Sequence, residues 1–458
     1  MIRSSLVLSA LLCSLGLPTA HAAELVWDGA FTSRARYFNS LSLSGSNSYA
    51  EGAAFGVDNR LRLQPQWQLS SNASIYAQVD LLPHLNWGTV ATEVDPISGE
   101  ESPVALSQSV TPPVDEEGGA TLQNIQVTRA WGEVDTAIGR VSFGRMPLDW
   151  GTGMVYNAGT NPDSEYGDTV DRLMLTSRVG PVYLFGAWEV PFEGYVNQRD
   201  DVWGATAGLK WQTETAAIGT YQNVRWMNNV DDDETFAAYT GDIYAWARLG
   251  EADVSFEFAT VLGQGDLGEA NDIGITSFGT HLTLAVPFDR LQAGLTLGFA
   301  SGDKDSTDDT LRAFSYDPDF NRTIFLFEEP MPTLEAANAN AENGGRNYDA
   351  VLTGEGISNA IFFNPSAGWR FNEKVGVSLS AFGATRAALI DDTDKATRGY
   401  GWEFDLGATY QPFPFFTLQG TAGTFLPGKY FRAYEDDTYG DGFEDPAFGA
   451  RVLGTVQF

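Results

Sequence analysis

Between residues 57 and 69 polar and apolar side chains alternate without a break. Asp58, Arg60, Arg62, Gln64, Gln66 and Gln68 fall on one side of an extended chain, and Val57, Leu61, Leu63, Trp67 and Leu69 on the other. A period of two belongs to a β-strand with one apolar face. The pattern recurs at 291–300, where Leu291, Ala293, Leu295, Leu297 and Phe299 share a face, and at 374–381 with Val375, Val377, Leu379 and Ala381. Runs of about ten residues match the length of a tilted strand that crosses a bilayer. After residue 22 no apolar run of about 18 residues exists that would cross as a helix. Lipid admits only helices and closed barrels, because an unpaired backbone amide there is too costly. The chain is therefore expected to be all-β: one transmembrane antiparallel up-and-down barrel.

Eighteen such runs can be counted, beginning near Glu24, Phe55, Ser74, Leu122, Gly139, Asp171, Pro181, Val202, Ala216, Phe236, Glu251, Asp272, Arg290, Ile357, Lys374, Arg398, Phe415 and Pro446. Connections alternate in length. Eight are short, around Asn72, Ala137, Gly180, Glu214, Gly250, Asp289, Glu373 and Pro414. The others are mostly long, including 91–121, 151–170, 303–356 and 429–445. Short periplasmic turns opposite long outer loops are the asymmetry of an outer-membrane barrel. Trp67, Trp211, Phe288, Trp369, Phe371, Tyr410 and Phe413 cluster at the short turns and read as an interfacial girdle.

Residues 1–22 read as a cleaved signal peptide: Arg3, an apolar stretch from Leu6 to Leu17, and Ala20-His21-Ala22 as the cleavage site. The single cysteine, Cys13, falls inside it. The remainder, 23–458, is expected to be one barrel with neither disulfide nor thiolate metal site.

The formal charge is −33. Phosphate binding needs a basic footprint, so nucleic acid is excluded as a partner. The acidity concentrates in the loops: 91–121, the block Asp231-Asp232-Asp233-Glu234, the segment 303–355 and the stretch 434–445. Segment 303–356 is too long for a plain loop. It holds an apolar knot, Thr323-Ile324-Phe325-Leu326-Phe327, that water would not tolerate bare. Three readings stand: a plug folded into the lumen, a hairpin above the membrane, or a surface for a partner. Asp303 to Asp309 lacks the glycine and the closing ligand of an EF-hand. No cofactor is expected beyond loose Ca²⁺ at the acidic outer loops.

The most distinctive stretch is 129–172. Arg129-Ala130-Trp131-Gly132-Glu133 is followed by a tight turn, Gly139-Arg140, and Gly144-Arg145-Met146-Pro147. This resembles the alginate-export type of eighteen-stranded outer-membrane channel. The longer run, Trp150-Gly151 through Gly167-Asp168 and Asp171-Arg172, is similar to a myxobacterial outer-membrane family. A terminal Phe458 on an alternating strand likewise resembles bacterial outer-membrane barrels. The resemblance implies localisation in that membrane, with its lipid and lipopolysaccharide as surroundings, and export of a polysaccharide fed by a periplasmic partner.

The residues by themselves point elsewhere. Arg60, Arg62, Arg129, Glu133, Asp242, Arg248, Glu257, Glu403 and Asp405 fall on inward faces, and Arg145, Asp168, Asp171 and Arg172 flank the glycine-rich loop. These thirteen are the candidate pore-lining and constriction residues. Their alternative reading is cross-strand pairing that stiffens the barrel. A lumen of both signs suits small hydrophilic solutes more than a polyanion. The expectation is a porin-like channel for passive passage, filtered by inward-folded loops; export, or a plugged structural or adhesive barrel, are the alternatives. After residue 22 only His84 and His281 are histidines, and no phosphate loop or zinc spacing occurs, so no enzyme is expected.

Overall fold

The computed structural model describes residues 24–41, 43, 53–82, 85–89, 92–94, 101–103, 125–192, 201–229, 234–267, 270–304, 308–320, 322–329, 331, 356–389, 398–432 and 444–458. Residues 1–22, read from the sequence as a signal peptide, most of 91–121, Asp231–Asp233, His84, 332–355 and 433–443 lie outside these residues.

Eighteen antiparallel strands close into one barrel. They are β1 (Glu24–Asn39), β2 (Ala53–Ser70), β3 (Ala73–Leu81), β4 (Ile125–Thr136), β5 (Gly139–Pro147), β6 (Thr169–Val179), β7 (Val182–Phe192), β8 (Val202–Gln212), β9 (Ala216–Asn229), β10 (Glu234–Leu249), β11 (Ala252–Leu267), β12 (Ala270–Phe288), β13 (Leu291–Ala300), β14 (Ala360–Arg370), β15 (Val375–Arg386), β16 (Gly399–Phe413), β17 (Phe416–Pro427) and β18 (Ala447–Gln457). Each pairs with the next. β18 returns to β1 in a register that runs from Ala30 opposite Gln457 to Asn39 opposite Phe448. Phe458 and Gly29 exchange two backbone hydrogen bonds of 3.0 Å and finish the seam. The strand starts lie within three residues of those read from the sequence, and all eight short turns stand where expected.

Alternation decides which side chains meet lipid. Leu297 of β13, Leu379 of β15, Leu406 of β16 and Val452 of β18 are exposed on the outer wall. Trp211, Phe288, Trp369, Phe371, Tyr410 and Phe413 are exposed at the short-turn end, so the aromatic girdle is present.

One strand breaks the simple parity. The β3–β4 register shifts after Gln78 opposite Arg129, so that Val79 faces Val127 and Thr128 is the extra residue of a β-bulge. The bulge throws Val127 outward, where it is 63% exposed, and keeps Arg129 inward at 4%. Trp131 stays inward and stacks on Tyr76 at 4.8 Å. Strict alternation had put Val127, Arg129 and Trp131 on one face.

The core of this barrel is its upper lumen, filled by loops from the long-loop end. Residues 148–168, between β5 and β6, form one inward loop. Residues 312–331, between β13 and β14, form another. Phe314, Tyr316, Phe320, Ile324, Phe325, Leu326, Phe327 and Met331 of the second pack with Phe38, Phe362, Phe382, Tyr400 and Phe425 from the wall. Phe325 and Leu326 have no exposed surface. Each such side chain taken from water stabilises the inward position by about 1.5–3 kcal/mol. Of the three readings of 303–356, the described part therefore follows the plug. A short helix, α1 (Lys429–Arg432), adds Tyr430 and Phe431 to the same cluster.

Lumen-facing glycines make room for these rings. A Cβ on Gly449 of β18 would lie 2.8 Å from Phe325 Cζ, and one on Gly219 of β9 would lie 2.9 Å from Trp150 Cη2. Phe314 occupies the space over Gly279 of β12 in the same way. Where the wall lacks a side chain, the plug supplies one.

Candidate functional site, a loop-packed lumen

Backbone geometry first shapes the loop 148–168. Gly151, Gly153 and Gly159 have positive φ, and at Gly159 a Cβ would strike the carbonyl of Tyr166. Asp168 closes the loop on itself: its N–H donates to Asn157 O at 2.8 Å, and Asn157 N–H donates to its carboxylate at 3.0 Å. Gly167 does not have positive φ; it allows Arg129 to pass closely.

Arginines of the neighbouring wall hold this loop by its carbonyls. Arg60 donates to Ser164 O and Pro162 O at 2.8 and 2.9 Å. Arg62 donates to Gly159 O at 2.7 Å while forking onto Asp80 with two bonds of 2.8 Å. Arg129 donates to Ala158 O and Asp168 O. Arg34 and Arg36 both pair with Glu165 of the loop. A buried guanidinium needs several acceptors, and bent loop carbonyls supply them.

Carboxylates of the opposite wall hold the other side. Asp242 on β10 accepts from Trp150 Nε1 at 2.7 Å. Glu257 on β11 accepts from the amide and hydroxyl of Thr152 at 2.5 and 2.6 Å. The Thr152 hydroxyl also lies 2.6 Å from His281 Nε2. His281 is thus sealed beneath the loop. Glu403 on β16 accepts from three successive amides of the second loop, Ile324, Phe325 and Leu326, at 2.6, 3.1 and 2.9 Å.

The two loops clasp each other. Asp319 accepts from the amides of Glu165 and Tyr166 at 3.1 and 3.3 Å, and Asp317 N–H donates to Met154 O at 2.8 Å. Burial raises the Asp319 carboxyl to about 6. Burial, and then the facing Asp168, push Asp317 up to about 8.

Of the thirteen candidates, eight anchor or shape the loops: Arg60, Arg62, Arg129, Asp168, Asp242, Glu257, Glu403 and Arg172, which donates to Pro147 O at 2.9 Å. Glu133 and Arg248 are inward but near the short-turn end, paired with Arg140 at 3.1 Å and Asp253 at 2.9 Å. Asp405 lines a cavity. Arg145 and Asp171 require correction: they face outward with Phe143 and Leu173, bonded to each other at 2.7 Å, and do not line the lumen. Sequence reasoning missed Arg34 and Arg36, although Thr32, Arg34 and Arg36 alternate inward on β1. It also missed Asp319 and Thr152, whose loop positions carry no period.

Cavities remain around the loops among the described residues. One of about 230 Å³ and one of about 190 Å³ share Arg60 and Arg62. A third, of about 350 Å³, lies against β14–β18 and is lined by Arg451, Asp405 and Arg322 among others.

No family model and no curated protein sequence matches the chain. Solved structures do. Acinetobacter baumannii OccAB1 superposes with a TM-score of 0.54 at 9% identity, covering 94% of this chain and 96% of that one. Pseudomonas aeruginosa OccK9 (OpdG) gives 0.51 at 10%, covering 94% and 98%. OccK1 (OpdK) of the same organism gives 0.50 at 11%, covering 94% and 98%. The chain has the closed eighteen-stranded fold of the outer-membrane porins.

Proposed function

We propose that the protein is an outer-membrane channel for passive passage of small hydrophilic solutes, in which the two inward loops set the size limit and the charges left around them set the preference. One observation carries this reading most directly. The loops are held by polar bonds to the wall, yet they leave polar cavities of about 190–350 Å³ instead of a dry, filled bore. A barrel of this strand number has a lumen wide enough for water, so inserted loops convert a pore into a filter. Burial of His281 under the loop, with Nε2 on the Thr152 hydroxyl, favours a channel over an enzyme.

Polysaccharide export with a periplasmic partner is the second reading. It is supported by the 129–147 motif and by the arginines of β1, β2, β4 and β18 along one arc. Against it, those on β1, β2 and β4 are already bonded to loop carbonyls or carboxylates, which leaves little basic surface for a polyanion. A lumen closed by its plug is the third reading. Single-channel recording in planar bilayers under a KCl gradient separates them. Open channels in the intact protein support passive passage. Silence at every voltage, relieved only by deleting 312–331, would overturn it in favour of a plugged barrel.

A further inference from the structure

Arginines on the two sides of the loops are used differently. On β1, β2 and β4 every lumen arginine named above is engaged with loop carbonyls or carboxylates. Arg451 on β18 makes no hydrogen bond or ion pair among the described residues, although it faces the 350 Å³ cavity. Across β17 from it stands Asp405 on β16: Arg451 registers with Thr421, and Asp405 with Gly423 two residues along. Asp405 is 7% exposed, and its Oδ1 is buried with no hydrogen-bond partner.

The loops complete the same cavity with two more unmatched groups. Asp319 leaves its Oδ2 buried and unpartnered, while its Oδ1 serves the first loop. Arg322 leaves its Nε buried and unpartnered, its guanidinium stacked over Phe320 at 4.4 Å. The space exists because the wall is lined there by Ser378, Ser380, Gly407 and Thr421, all small and mostly hydroxylic. Its volume lies at the lower end of the range for small-molecule sites, about 300–1,000 Å³.

Buried donors and acceptors without partners are costly, and a ligand that matches both kinds recovers that cost. Buried donor and acceptors come from Arg322, Asp405 and Asp319, and the half-buried guanidinium of Arg451 adds a second donor facing the same space. We propose that this cavity is a subsite for a small dipolar solute bearing both a carboxylate and an ammonium group, of the amino-acid class, the carboxylate on Arg451 and the ammonium on Asp405. An anion alone would leave the aspartates unmatched; a cation alone would leave the arginines so. Discrimination then comes from the groups left unpaired.

The subsite rests on the channel reading, and one experiment tests both. Purified full-length protein is placed in liposomes, and uptake of labelled L-serine and labelled glycerol is followed at low concentration. Serine uptake is expected to saturate and to be competed by unlabelled L-alanine, while glycerol uptake stays linear. Arg451→Gln and Asp405→Asn, each checked for a folded barrel by heat-modifiable gel mobility, are expected to lower the serine-to-glycerol uptake ratio about fivefold, the effect of one lost charge pair. Linear serine uptake, or an unchanged ratio in both variants, overturns the subsite while the channel stands. Failure of both solutes to enter overturns the channel reading and the subsite with it.

Discussion

Glu403 holds Leu326: the carboxylate on β16 accepts the Leu326 amide at 2.9 Å, and the preceding two amides converge on its other oxygen. A fixed wall residue thus caps a turn of the plug, and the turn in turn presents Phe325 to the aromatic cluster.

Glu403→Ala removes the acceptor for three buried amides. Hydrogen bonds to charged groups are worth about 1.5–3 kcal/mol, so undocking of 312–331 should become far more frequent. Trypsin cleavage after Arg322 should accelerate at least tenfold while the barrel stays intact on a gel.

Gly279→Leu places a side chain where Phe314 of the second loop now sits. Overpacking of this kind costs about 1–3 kcal/mol. The wall strand is hydrogen-bonded along both edges, whereas the loop is held at separate points, so the loop is expected to yield. Single-channel conductance should rise, with the barrel still heat-modifiable.

The clasp between the loops should depend on pH. Asp317 faces Asp168 and Asp319, with Arg225 and Arg129 acting on Asp168 from the wall. Its carboxyl rises from 3.8 to about 8 in the clasped state. A raised acid stabilises the clasp fully below its free value and loses that stabilisation as pH climbs through the folded value. Opening events in bilayers should therefore be rarest near pH 4 and increase toward pH 8. Asp317→Asn should flatten the profile near its low-pH level.

Arg145 and Asp171 supply the contrast. Their pair is outward and about half exposed, at 54% and 42%. Exposed pairs are worth about 0–1 kcal/mol. Arg145→Ala should leave reversal potential and conductance unchanged, whereas Arg451→Gln should shift the reversal potential toward cations.

The barrel was readable from the chain because its two determinants are local. Alternation marks every strand from Glu24 to Phe458, and the turns at Asn72, Gly180, Gly250 and Asp289 carry short polar or glycine signals. Parity failed where a bulge intervened, at Thr128, since an inserted residue leaves no mark in a pattern of polar and apolar letters. It also failed to separate Arg145 from the lumen set, because a charged residue near the rim can stand on the outer face.

The loops were legible in composition and not in position. Ile324 to Phe327 announced an apolar knot, and Gly151 to Gly159 a tight path, but nothing local said that the knot would lie over Gly449 or that Trp150 would reach Asp242. Strand number, face and the polar lumen follow from a period of two acting within each run of about ten residues. Which arginines hold a loop and which remain for a solute depends on contacts between residues far apart in the chain, as Arg60 with Ser164 at 104 positions and Glu403 with Leu326 at 77 also are. Those are decided only when the closed wall and the inserted loops compete for the same donors and acceptors in a space that excludes most water.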